Sequence, residues 1–94
     1  MNLATSDVSH LVIGRVAGPR GVRGELRIDI ETEDPERFYG LRRVFLGEQL
    51  VPFDVRRARL HEGQALLQLR GIEDRNAAEQ WRGALVYVAL KEAI

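Results

Sequence analysis

Four glycines fall within eleven positions of one stretch, Gly14-Arg15-Val16-Ala17-Gly18-Pro19-Arg20-Gly21-Val22-Arg23-Gly24, with apolar strand-like runs on either side. The glycines free the backbone to take φ > 0 or to pass close to another surface, and Pro19 fixes φ in their midst, so an ordered turn between two strands is expected. Arg15, Arg20 and Arg23 project from it as planar cations suited to carboxylate or phosphate acceptors. Gly18, Pro19, Arg20, Gly21, Val22, Arg23 and Gly24 are therefore the expected partner-binding element. The alternative is a solvated hairpin whose glycines serve only the turn.

Composition narrows the partner. The 94 residues suffice for one small domain, and 14 basic residues balance 14 acidic ones, so net charge does not argue for a protein that coats duplexes by phosphate contacts alone. Any nucleic-acid contact would be local. Every basic residue except Lys91 is arginine, which favours oriented, bidentate contacts over a diffuse cationic field. With no cysteine and two isolated histidines, His10 and His61, neither a disulfide nor a zinc site is expected, and no cofactor is implied. The first residues lack a basic start followed by an apolar run, and no segment approaches a bilayer span. A soluble, cytoplasmic chain is expected.

Residues 1–10 read as a disordered leader. Residues 11–17 form a β-branched run too short for a helix, expected as a strand buried on much of both faces, in which Gly14 marks a bend or a close backbone crossing. Residues 25–30 alternate strictly, with Leu26, Ile28 and Ile30 on one side. Asp34 is a natural N-cap and Pro35 fits the first helical position, so one short helical turn should bring Phe38 and Leu41 over an open end of the sheet. The acidic run around it reads as a solvated cluster, its spacing being too irregular for a calcium loop.

Residues 43–46 and 50–55 flank Gly47-Glu48-Gln49 as a hairpin, with Pro52 near an edge or bulge. Phe53 and Val55 share one parity and Ala58 and Leu60 the other, which predicts a β-bulge near Arg56-Arg57. Arg56, Arg57 and Arg59 make a basic patch, read as a charge-guarded edge strand because no aromatics are interleaved for base stacking. His61-Glu62-Gly63 turns the chain into residues 64–70, where Ala65, Leu67 and Leu69 are in phase. His61 beside Glu62 lacks the nucleophile and orienting group of an acid/base site. The one helix is expected over residues 74–82, about two turns long, capped by Asp74, stopped by Gly83, with Ala77, Ala78 and Trp81 on its sheet-facing side. Residues 85–90 are a last strand, and residues 91–94 run out. Six short strands and one helix predict a mostly β, antiparallel, closed or nearly closed barrel, because closure removes edges that so short a chain could not otherwise cover.

Three blocks carry a resemblance: Gly18-Pro19-Arg20-Gly21-Val22-Arg23-Gly24-Glu25-Leu26; Asp34-Pro35-Glu36-Arg37-Phe38; and Gly71-Ile72-Glu73-Asp74-Arg75-Asn76-Ala77-Ala78-Glu79 with Arg82-Gly83. In this order, over most of residues 11–90, they resemble the N-terminal domain of the bacterial RimM family. The resemblance implies a six-stranded barrel similar to the second domain of translation elongation factors. It also implies a part in small-subunit ribosomal RNA processing and in maturation of the subunit head, through binding of a head ribosomal protein and the preribosomal small subunit. Two departures stand out. Arg20 replaces a histidine common in the family, and the family's second barrel, with its paired tyrosines, would lie beyond Ile94, so the chain is expected to be part of a longer protein.

The leading expectation is a non-enzymatic assembly domain of the cytoplasm. A direct RNA-binding barrel using the arginine loop and the strand at Arg56, Arg57 and Arg59 is the alternative. A flavin or nucleotide enzyme is disfavoured, because the glycines fit neither G-x-G-x-x-G nor a P-loop and precede a strand.

Overall fold

The computed structural model describes residues 9–92. Six antiparallel strands close into a barrel in the order β1-β2-β5-β4-β3-β6: β1 (His10–Arg20), β2 (Glu25–Ile30), β3 (Arg43–Leu46), β4 (Val51–His61), β5 (Gln64–Leu69) and β6 (Leu85–Ala89). Closure leaves a continuous interior filled by the in-phase apolar residues of each strand, among them Val16, Leu26, Ile28, Val44, Leu67 and Val86, each at most 1 % exposed. The helix α1 (Arg75–Glu79) sits at the end where β2 begins and β5 finishes, with Ala78 buried. A 3₁₀ turn (Pro35–Phe38) packs on β4 and inserts the fully buried Phe38, with Leu41 half-buried against the core. The expected mostly β barrel with one short helix is the fold.

Several elements differ from the sequence expectations. β1 begins at His10 and runs to Arg20, longer than residues 11–17, because two bulges let one strand serve two neighbours. Ile13 is skipped in the pairing with β6, and Ala17 in the pairing with β2. β1 is not buried on both faces, since Leu11 and Arg15 are exposed. The α-helix spans five residues, short of the two turns expected, because beyond Glu79 the chain tightens into i→i+3 bonds from Trp81, Arg82 and Ala84 before turning at Gly83 (φ 88°). Trp81 is half-buried and meets Phe53 edge-to-face at 5.5 Å. Asp34 does not cap with its side chain; its carbonyl accepts from the Arg37 amide, and its own amide donates to Thr32 Oγ1. Leu90 leaves β6 to open a 3₁₀ turn (Leu90–Glu92), held by its amide bonding to the Ser9 carbonyl. Of the expected leader, residues 1–8 lie outside the described residues, and His10 is already strand.

β4 carries the closure. Its first part pairs with β3 (Phe45 opposite Pro52), and from Val55 onward it pairs with β5, the register shifting at Arg56 where parity predicted the bulge. Pro52 therefore sits where the strand has no β5 partner and its missing N–H costs no ladder bond.

Gly14 is the tightest crossing within β1 and β2. A Cβ there would lie 2.5 Å from Ile28 Cγ2 and 2.7 Å from the Asp29 carbonyl oxygen. That carbonyl belongs to the ladder and cannot swing away, so Gly14→Ala should cost about 2–3 kcal/mol, the upper range of overpacking. Urea unfolding checks this, and a loss below about 0.5 kcal/mol would show that the crossing relaxes freely.

Candidate binding groove

The turn that links β1 to β2 is shorter than the expected seven residues. Gly18, Pro19 and Arg20 belong to β1, paired with Arg27, Leu26 and Glu25, and Gly18 and Pro19 are buried, so neither offers a surface to a partner. What projects is Gly21, Val22 and Arg23; Gly24, the last of the expected partner-binding residues, is buried. Arg15 is not part of it; it lies on β1, donates to the Gly83 carbonyl at 3.0 Å and pairs with Glu31 at 3.6 Å.

Three contacts hold the turn. Gly24, at φ 81°, presses its backbone on that of Asp74: a Cβ would meet Asp74 O at 2.7 Å, Asp74 N at 2.8 Å and Ile72 O at 2.9 Å. Asp74 is fixed in turn as the helix N-cap, its side chain accepting from the Ala77 amide at 2.8 Å. Gln68 Nε2 donates to the carbonyls of both Arg23 (3.1 Å) and Ile72 (3.2 Å), joining turn to strand and helix approach. On the β1 side, Arg82 donates to the carbonyl of the bulged Ala17 at 2.7 Å and grips Glu79 through both Nε and Nη2. Its guanidinium lies over Gly18, within 2.9 Å of where a Cβ would stand. The hydrogen bond from Arg82 holds the Glu79 carboxyl below its usual pKa.

Barrel closure brings together what the sequence separates. Register places Arg20 beside Glu25 on the outer face, and continuing it sets Glu25 beside Gln68 and Gln68 beside Arg57, a row across four strands. With Arg23, Arg56 and Arg59 these residues line one open groove of about 590 Å³. Five guanidinium groups face two carboxylates there. Each carboxylate is engaged, Glu25 with Arg59 at 3.3 Å and Glu73 with Arg56 at 3.6 Å. The next row inward is Arg27, Leu66 and Arg59, and the arginine stems flank an outward Leu66 that is only 1 % exposed. Glu25, Gln68 and Glu73 were not singled out in the sequence; the outward parity of Glu25 and Gln68 was legible, whereas Glu73 follows a turn and carried no signal.

The remaining candidates do not form sites. His61 approaches Glu62 at 3.6 Å within a turn where Glu62 and Gly63 both have positive φ, and His10 packs edge-on against Phe45 at 4.5 Å. Among the described residues no group of three or more acidic, histidine or cysteine side chains could hold a metal, and no helix is long and apolar enough to cross a membrane.

Gly21 and Gly24 separate conformational need from close contact, since nothing lies within 4 Å of a Cβ on Gly21 (φ 73°). Gly21→Ala should cost about 1 kcal/mol for the left-handed backbone alone. Gly24→Ala should cost about 3 kcal/mol, because overpacking adds to it. Equal losses in thermal unfolding would mean that Gly24 does not anchor the turn.

A family model described as the RimM N-terminal domain matches residues 11–93. Curated relatives include a ribosome maturation factor RimM of Frankia alni, 41% identical over 85 residues (88% of this chain, 47% of the relative). The corresponding protein of Chloroflexus aurantiacus is also 41% identical over 85 residues (88% and 49%). The chain thus spans about half the length of the curated relatives it matches. Among solved structures, a Pseudomonas aeruginosa protein described as a RimM 16S ribosomal RNA processing protein superposes with a TM-score of 0.78 at 26% identity, covering 88% of this chain and 52% of that one. The N-terminal domain of RimM from Thermus thermophilus superposes with a TM-score of 0.76 at 24% identity, covering 93% and 96%, and supports the fold. By sequence and by fold, the chain belongs to the RimM family and corresponds to its N-terminal domain.

Proposed function

We propose that this domain serves maturation of the small ribosomal subunit in the cytoplasm as a binding module without chemistry of its own, docking on a ribosomal protein of the subunit head through the turn at residues 20–24. The observation that carries this reading is Val22, 79% exposed at the tip of a turn whose backbone is fixed by Gly24 and Gln68. A rigid apolar tip flanked by Arg20 and Arg23 combines an anchor with oriented charges and loses little entropy on docking. The role is supported by relatives named ribosome maturation factors and by the one described as a 16S ribosomal RNA processing protein, and the head protein as partner is drawn from the family resemblance.

Val22→Ser tests it, being uncharged and lying where the side chain touches solvent. Titrating the domain against purified head proteins of the small subunit should show the variant binding one of them about tenfold more weakly, which is about 1.4 kcal/mol. Its thermal midpoint should stay within about a degree of the parent's, since exposed positions contribute little to stability. Undiminished binding to every head protein would move docking to another face.

A further inference from the structure

We propose that the groove beside the turn, on the outer face of β1, β2, β5 and β4, is a track for the phosphate backbone of double-helical RNA. The inference rests on the small-subunit reading above for its setting and adds a second class of contact, one that shares Arg20 and Arg23 with the turn and brings in Arg57 of β4.

Charge is the first ground. The chain as a whole is neutral, yet after Glu25 and Glu73 are matched to Arg59 and Arg56 the groove keeps Arg20, Arg23 and Arg57, none of which makes an ion pair among the described residues. The balancing acidic side chains include Glu33, Asp34 and Glu36, at the opposite end of the barrel, where β2 finishes. Such a polarised molecule presents its cationic face to a polyanion.

The second ground is hydrogen bonding. Arg20 Nη1 and Arg59 Nε are both closed off from solvent and have no hydrogen-bond partner. A guanidinium N–H left in that state carries a desolvation cost that a shift of its side chain toward an oxyanion in the groove would relieve. Arg20 stands on β1 and Arg59 on β4, so the two donors mark opposite banks.

The third ground selects the occupant. Phosphates repeat along a strand and match several guanidinium groups spread over the outer face of the barrel. No aromatic side chain lines the groove to stack unpaired bases. An A-form helix, by contrast, is held through its shape and its phosphates without exposed bases.

The test is fluorescence anisotropy of a labelled RNA hairpin with an A-form stem, titrated with the domain over a range of salt. Three free arginines predict that log K falls against log salt with a slope of about 2–3. The double variant Arg20→Ala, Arg57→Ala should lower that slope by about 2, near one per phosphate contact removed, while keeping the parent's thermal midpoint. The single variant Arg57→Ala, on β4 and away from the turn, should keep the affinity for the head protein that Val22→Ser weakens, and Val22→Ser should leave the RNA slope unchanged, so the two readings fail separately. Salt-independent binding, an unchanged slope in the double variant, or an unpaired RNA of the same length binding as tightly as the stem would overturn the proposal. Tighter binding of a polyglutamate peptide than of the hairpin would overturn it in favour of an acidic protein partner.

Discussion

Everything that faces outward near the turn depends on one contact between two backbones, Gly24 lying against Asp74. Only a residue without Cβ allows that approach, and only a residue at ease with φ 81° allows the chain to reverse there into β2. The Asp74 side chain is committed to the Ala77 amide, so the helix start and the turn are fixed as one unit. Gln68 then ties this unit to β5 by donating to a carbonyl on each side. Arg20 leaves β1 and Val22 crowns the turn in positions set by this lock.

Much of the barrel was legible because parity is a local property. Strict alternation in β2, the phase change at Arg56 and the capping role of Asp74 each follow from a few adjacent residues. The extent of β1 was not. Gly18 and Pro19 read as breakers, but the bulge at Ala17 absorbs the irregularity and Arg82, sixty-five residues on, satisfies the bulged carbonyl. The helix likewise ended early: past Glu79 the backbone bonds i→i+3, and Trp81, in that tighter stretch, meets Phe53.

The candidate site was legible only in halves. Two arginine groups, at Arg20 and Arg23 and at Arg56 to Arg59, stand more than thirty positions apart in sequence, and only the pairing of β2 and β4 on either side of β5 makes them one groove. A neutral chain conceals that groove from any argument on composition. Leu66 makes the same point in the core's terms: its parity is outward, and what buries it is a neighbouring arginine on each flanking strand.

Preorganisation of the turn is the claim on which the functional account stands, and backbone ¹⁵N relaxation measures it directly. Gly21, Val22, Arg23 and Gly24 should have amide order parameters near those of the flanking strands, about 0.85. Values below about 0.6 across these four residues would show a mobile tip, contradicting the lock between Gly24 and Asp74 and removing the physical reason for reading the turn as a docking element.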